Sequence, residues 1–554
     1  MSSFPQRMRR MISMPPICKP ALRNTLFLLL ASAGQVLPLH GQSRGPALPR
    51  VYLDTNLPEQ HGRVLAAAAD CKNLQAQIDA ARPGDTIEIP AGAVCTGRFV
   101  LPPKPSGGGW VVIRTANAET ALPHGVRVSP AGSGRMAKIL TPNSGPAIVT
   151  APGAHHYRLV GLEIGVQAEP QPSINYGIIG LGDATKAQSS LDQVPGDIII
   201  DRCYIHGNPT LNVSRGIALN SARTAVIDSY ISEIHGEGFD TQAICGWNGP
   251  GPFKIVNNYL EAAGENIMFG GAVGYISDII PSDIEIRTNH LFKPLRWNRK
   301  NPATDGSHWT VKNHLEFKNA QRVLADGNVF ENNWVDAQVG YSILFTVRTQ
   351  QKAMLWNAVQ DITLTHNIVR NSQAGVTILG IDDTSGAGKA RLILIRHNLF
   401  EALGPGPGFL LVSAAEDVTI DHNTVLMEKG QWSLLFDGKP EARFAFTNNI
   451  VSETRYGVTG SGTRAGTPVL ERYAPGAVFR NNLITGGSSA DYPSSNSFPK
   501  NLQAIGFVRY DDREGDYQIG LSSRYKSAAS DHTSPGADMR AVRAATRNAI
   551  SERP

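Results

Sequence analysis

The sequence is poor in charge and in long apolar runs. Asp, Glu, Lys and Arg make up 18% of the 554 residues, while Gly and Pro are plentiful. That is a loop-rich globular composition rather than a disordered one. After residue 33 no apolar segment approaches the length of a bilayer span, so no membrane span is expected in the mature chain. Cysteine is scarce, five residues in all, and no Cys and His spacing resembles a zinc site. A basic excess is missing too. The formal charge of +5 comes from residues 1–41, which hold Arg7, Arg9, Arg10, Lys19 and Arg23 and no acidic residue. Without them 52 − 5 = 47 basic residues face 47 acidic ones, which leaves no electrostatic footprint for nucleic acid.

Residues 1–41 read as a secretory signal peptide: basic residues precede the apolar run TLFLLLASA, and small residues at Ala31 and Ala33 follow, with cleavage after Ala33 or Gly41. A secreted or periplasmic protein, acting as a monomer, is expected. Cys18 leaves with the leader. Cys71 and Cys95 flank one strand-and-turn region of an exported chain, so a disulfide between them is expected. Cys203 and Cys245 read as small buried apolar residues.

Residues 42–70 read as an extended lead-in. In CKNLQAQIDAARPGDTIEIPAGAVCTG, Leu74 and Ile78 lie one helical turn apart, Arg82-Pro83-Gly84 stops the helix, and TIEI opens a strand. A short amphipathic helix there would cover the open end of a sheet. Downstream, a motif of the form apolar-x-x-Asn-apolar recurs in IVNNYL, IRTNHL, ADGNVF, LTHNIV, IRHNLF, IDHNTV, FTNNIV and FRNNLI. It places Asn258, Asn289, Asn328, Asn367, Asn398, Asn423, Asn449 and Asn482 in series after Cys203 and Ser229. The successive steps from Cys203 are 26, 29, 31, 39, 39, 31, 25, 26 and 33 residues, the spacing of solenoid coils with variable loops. An inward Asn at a tight bend can bond the backbone of its own coil and stack on its neighbours.

The pattern LQAQIDAARPGDTIEIPAG followed by VVIRTA resembles the N-terminal cap and first coil of the pectate-lyase-like superfamily, and the resemblance runs on in weaker form to residue 520. It implies an all-β fold, a single-stranded right-handed parallel β-helix with a short N-terminal capping helix. On this reading coils occupy 71–520, and 521–554 form a C-terminal edge and polar tail of the kind that is frequently mobile. The resemblance also implies a carbohydrate-active protein whose cleft is floored by strands starting near Gly, as in GIALN, NIMFGG, GVTILG and GFLLVS.

Residues 311–348 hold the densest set of charges. In HLEFK, Leu315 and Phe317 alternate with Glu316 and Lys318; in YSILFTVR, Tyr341, Ile343, Phe345 and Val347 alternate with Ser342, Leu344, Thr346 and Arg348. If the two strands are neighbouring coils, Glu316, Lys318 and Arg348 project from one face. Such a cluster is a catalytic constellation or a cross-strand salt network. Asp240 and Glu265 come into line when Ile244 is matched to Phe269, and with Glu316 they would make an oxygen site suited to calcium. The loop LFKPLRWNRKNPATDGSHW, with Lys293, Arg296, Arg299 and Lys300 among Trp297 and Trp309, would bind an anionic polysaccharide, or else is a solvated loop with Trp anchors. Trp334 and Asp382 join Trp297, Trp309 and Arg296 as candidate substrate contacts.

Two chemistries suit these residues. β-Elimination on a uronic-acid polymer needs the carboxylate neutralised and the adjacent C–H proton removed, roles for Arg348 or calcium and for Lys318. Glycoside hydrolysis needs two carboxylates across the bond, Glu316 with Asp240, Glu265 or Asp382. The expectation is an exported polysaccharide lyase, with a glycoside hydrolase as the alternative. A further alternative is a non-catalytic glycan-binding protein using Trp297, Trp309, Trp334 and Trp356. The chain departs from the best-known patterns: the Asn-Thr-Asp, Asp-Asp and Gly-His-Gly series of polygalacturonases is not found in order. Asp382-Asp383 follows both His206-Gly207 and His235-Gly236. The Arg-x-Pro-x-x-Arg pattern of common pectate lyases is also missing.

Overall fold

The computed structural model describes residues 45–550 apart from 108, 169–172, 351–352, 383–387, 428, 453 and 512–514. The expected leader, Cys18 and Asp383 lie outside the described residues. Among the described residues the strands assemble into three long parallel sheets of 14, 13 and 12 strands, each coil contributing one strand to each sheet in turn. The chain is a parallel β-helix. Its interior is a set of in-register apolar columns: Ile284, Val323, Ile362, Ile393 and Val418 pair along the first sheet. Along the third sheet Phe269, Phe317 and Phe345 pair, with ring centroids 6.3 Å apart and tilted in the first step and 5.6 Å apart and stacked in the second. Alternate residues of each short strand thus supply a core that no single coil could close alone.

The bend between the first and second sheets explains the recurring Asn. The residue before it has left-handed backbone, from Asn257 (φ 57°) and Thr288 (φ 56°) through Gly327 (φ 67°) to Asn481 (φ 56°). Left-handed backbone costs an L-residue about 1–2 kcal/mol. Each Asn offsets it: Asn367 Oδ1 accepts the Asn328 N–H at 2.8 Å, and its Nδ2 donates to Ala325 O and to Asn398 Oδ1, both at 2.9 Å. Three such bonds contribute about 0.5–1.5 kcal/mol each. The column closes on Asn496, whose Oδ1 accepts the Asn482 N–H at 3.0 Å. Sequence reading missed Asn496 because it lies outside the repeated motif.

The helix Leu74–Ala80 buries Leu74 and Ile78 against the first coil. A disulfide joins Cys71 to Cys95, with Cα atoms 5.1 Å apart, while Cys203 and Cys245 are buried thiols. The lead-in is bound to the first sheet. Thr55 O accepts from Arg158, Leu53 O from Lys254, and the Arg50 and Ala47 N–H groups donate to Asp283 and Asp361.

The coils end earlier than residue 520. Their last strand is Leu483–Ile484, after which the chain turns back along the outside. A short antiparallel pair, Phe507–Arg509 with Asp516–Ile519, and a helix, Met539–Thr546, follow. Asp538 caps that helix by accepting the Arg540 and Ala541 N–H groups, and Met539 and Val542 pack on Leu399 and Leu426 of the second sheet. Residues 521–550 are therefore a docked strap, not a loose polar tail: Met539 and Val542 occur one helical turn apart and give the segment an apolar edge. Lead-in and strap bond to the first and second sheets; the third carries the site.

Candidate active site on the third sheet

The strands Gln242–Gly246, Glu265–Phe269, Leu315–Phe317 and Tyr341–Thr346 are consecutive members of the third sheet. Leu315 and Phe317 enter the core, so Glu316 and Lys318 face out. The register places Met268, Glu316 and Leu344 side by side. It also corrects an expectation: Ile244 pairs with Ile267, not Phe269, so Gln242 rather than Asp240 lies opposite Glu265. The alternation expected for YSILFTVR breaks at its start. Ser342 is buried and meets the His314 ring (Oγ to Nδ1 2.7 Å), while Tyr341 stays out of the central core.

The carboxylates form the floor of the site and the cations its rim. Glu265 is 0% exposed and Glu316 2%, whereas the Lys312 and Lys318 side chains are 15% and 16% exposed. Glu316 Oε1 lies 3.3 Å from Lys318 Nζ and accepts the Thr346 hydroxyl at 3.2 Å; Asn313 Nδ2 donates to its Oε2 at 3.2 Å. Glu265 Oε2 accepts from Gln242 Nε2 at 2.8 Å. Lys312 Nζ bridges the half-exposed Asp240 and Glu265 Oε1, the latter at 3.5 Å. Burial, and then the charge of Glu316, raise the Glu265 pKa against the opposing pull of Lys312 and Lys318. Burial opposes the charge of Lys312, but Glu265 and Asp240 outweigh it and hold that pKa above the ordinary lysine value. Arg348 follows the neighbouring strand, and its N–H donates to Lys318 O at 3.2 Å.

Lys312 was missed by sequence reading although it stands in the same VKNHLEFK segment, six residues before Lys318. Its role depends on contacts with two other coils.

The other candidates are committed to packing or to partners of their own. Trp297 is 2% exposed, packed on Ala263 and Val311 with Trp309 and Trp334 against it, and Trp309 also stacks on His235 at 3.9 Å. Trp297 is a loop anchor, not an open platform for sugar rings, because it is buried, and one face of Trp309 is covered by the His235 ring. Arg296 is committed to Glu233 at 2.7 Å, Glu261 at 3.5 Å and Asp305 at 3.6 Å. Lys293, counted in the basic loop, is fully buried and donates to Ala262 O, Ala263 O and Gly264 O; burial lowers its pKa to about 7. It holds the turn that leads into Glu265. Asp382 is buried rather than on the cleft surface, and its Oδ2 accepts the Thr349 N–H at 2.8 Å, which fixes the backbone beside Arg348. Trp356 donates its Nε1–H to Ile279 O.

The oxygen chemistry of the floor fits a hard cation. Gln242 Oε1, Glu265 Oε1 and Asn313 Oδ1 are buried acceptors without a hydrogen bond; Gln242 and Glu265 stand on adjacent strands, and Asn313 lies just before the next, Leu315–Phe317. Among the described residues no three His, Cys, Asp or Glu side chains gather at metal-ligand spacing, so such a site leans on the two amides. Asp240 contributes through Lys312 rather than directly.

No family model matches the chain, and no curated protein does. Solved structures similar in outline include a pectate lyase at 11% identity, covering 86% of this chain and 94% of that one with a TM-score of 0.36. A PL6 family polysaccharide lyase from Pseudopedobacter saltans gives 11% identity, 86% and 99% coverage and a TM-score of 0.33. An alginate lyase from Paenibacillus sp. str. FPU-7 gives 11%, 78% and 99%, and 0.25. The fold itself rests on the strand pairing, and the three stacked parallel sheets are the architecture that the resemblance to the pectate-lyase-like superfamily implies.

Proposed function

We propose that the chain is a polysaccharide lyase that cleaves a uronic-acid polymer by β-elimination on the outer face of the third sheet. One observation carries this reading: lysines rim the site while both carboxylates lie beneath them, engaged by side chains of their own and adjacent coils. The ammonium groups of Lys312 and Lys318 lie above the floor beside the half-exposed Asp240, and they suit an anionic chain. A hydrolase would need two carboxylates reaching the glycosidic bond from opposite sides, and Glu265 and Glu316 lie together in the floor.

In this mechanism Arg348 pairs with the uronate carboxylate and thereby acidifies the adjacent C–H. Lys318, held by Glu316 across a 3.3 Å contact, is the base that accepts the C–H proton, reacting as the amine. The C–H electron pair becomes the new C=C bond, the glycosidic C–O bond breaks, and the departing oxygen takes up a proton from water. Lys312 offsets the charge of Asp240 and Glu265 so that the floor does not repel the substrate. Calcium, when bound, would be held by Glu265 with the amides of Gln242 and Asn313 and would add positive charge against the uronate carboxylate.

Export to the periplasm or the medium is part of the proposal. The Cys71–Cys95 disulfide supports it, since such bonds persist in oxidising compartments. Among the described residues no helix is long and apolar enough to cross a membrane. The test is ultraviolet absorbance of unsaturated uronate ends while the purified protein acts on pectate, alginate and glycosaminoglycans. A rise supports the lyase. New reducing ends without absorbance would replace it by a hydrolase, and neither signal across the panel would leave the protein a glycan binder.

A further inference from the structure

A cavity of about 370 Å³ opens on the same sheet face toward the N-terminal coils. Its floor is made by Gly180 and Ala218, which belong to the register row that runs through Cys245 and Met268 to Glu316. Small side chains at these two positions make the hollow. Ala218 stands three strand steps from Glu316 and Gly180 four, about 14 and 19 Å at the usual strand spacing.

Two guanidinium groups, Arg98 and Arg215, and one carboxylate, Asp183, line the cavity. Among the described residues neither arginine has a carboxylate partner, whereas Lys312 and Lys318 of the neighbouring site both do. The Arg215 guanidinium is seated 5.1 Å over the Trp247 ring, and its contact to Tyr176 O is long, at 3.5 Å. Its Nε is buried without an acceptor. A guanidinium fixed on an aromatic face with a donor left over is prepared for a planar anion. Tyr176, 60% exposed, adds an aromatic face at the rim.

We infer that this cavity is a distal subsite for a uronate residue of the same polymer, three to four sugars from the bond that is cleaved, with Arg215 and Arg98 receiving its carboxylate. The inference rests on the lyase reading for the identity of the polymer. An extended pyranose chain advances by close to one strand spacing per sugar, so a chain lying across the strands reaches both sites at once. The cavity then sets a minimum substrate length and a preference for charged over neutral sugars at that position.

The experiment is calorimetric titration of the full chain, in a Lys318→Ala background, with uronate dimers and hexamers (galacturonate, mannuronate, guluronate) and with carboxyl-reduced hexamers. Arg215→Ala is expected to weaken hexamer binding about 10- to 100-fold, leave dimer binding unchanged, and make no difference to the reduced hexamer. Tyr176→Ala, an exposed change that cannot disturb the core, should weaken the hexamer to a smaller extent. Equal hexamer affinity with and without Arg215, at an unchanged melting temperature, would overturn the subsite, as would an equal loss for the reduced hexamer. Arg215-dependent hexamer binding by a parent protein that makes no unsaturated ends would support the subsite and remove the lyase reading. Turnover of hexamer with an Arg215-independent KM would do the reverse.

Discussion

Replacing Lys312 by Met removes an ammonium from between Asp240 and Glu265 while keeping most of the side-chain volume. Breaking a buried ion pair from one side costs about 3–5 kcal/mol, but Asp240 is half-exposed and its share falls to about 0–1 kcal/mol after solvent screening. Glu265 is fully buried, beside Glu316, and bears the main loss. A loss of about 3 kcal/mol at pH 8 follows. The pH dependence identifies the cause. Glu265 already has a folded-state pKa above its ordinary value, and losing Lys312 raises it further. The native state then holds a proton that the unfolded state has released, so stability falls as pH rises above the ordinary carboxylate value of 4.5. Below that value Glu265 is protonated in both states and the penalty shrinks to under about 1 kcal/mol. Guanidinium denaturation of both proteins at pH 4 and pH 8, followed by fluorescence, measures the difference. An equal loss at both pH values would show that Lys312 acts by packing, and no loss at pH 8 would show that its ammonium is not coupled to Glu265. The same variant exposes the oxygen floor, so added calcium is expected to raise its denaturation midpoint more than that of the parent.

Lys318→Ala and Arg348→Ala should each lower turnover by about 10²- to 10⁴-fold, read below the melting range because Lys318→Ala also leaves the buried Glu316 without its ammonium; retained turnover of the double variant would remove both residues from the mechanism. Asn367→Ala strands the Asn328 N–H and should cost about 2–4 kcal/mol, read as a lower denaturation midpoint with unchanged specific activity of the folded protein. Trp297→Ala should destabilise the protein by about 3–5 kcal/mol through a core cavity without altering oligosaccharide affinity below the melting range, and a selective affinity loss would restore the ring as a substrate contact. Glu441, whose Oε2 accepts the Ala415 N–H at 2.7 Å, is pushed by burial from 4.5 to about 8. Its native state keeps a proton through that window, so stability falls as pH rises from 4.5 to 8, by about 1.4 kcal/mol per pH unit at most. Glu441→Gln should flatten that slope, and an unchanged slope would show that Glu441 ionises freely in the folded protein.

The period of the coils was written locally. An Asn after a left-handed bend satisfies the backbone of its own and adjacent coils, so its recurrence can be read without knowing what lies elsewhere. The outward pair Glu316 and Lys318 was legible for the same reason, since strand alternation around Leu315 and Phe317 decides it within five residues. Leu74 and Ile78 announced the cap by their spacing alone. What crosses from coil to coil was not legible. Matching Ile244 to Ile267 instead of Phe269 is a two-residue slip that no local pattern forbids, and it decides that Gln242 faces Glu265. The loop around Trp297 looked like a basic, aromatic surface because its sequence does not record that Lys293 caps three carbonyls, that Arg296 meets three carboxylates, and that Trp297 is buried against Ala263 and Val311. The strap over 521–550 finds its place only through the outer face of the second sheet. Lys312 reads as one more surface lysine until the fold brings Asp240 and Glu265 to it. Repeating local geometry sets the solenoid, whereas the lengths of the intervening loops and the register between coils set the electrostatics of the site, and those exist only in three dimensions.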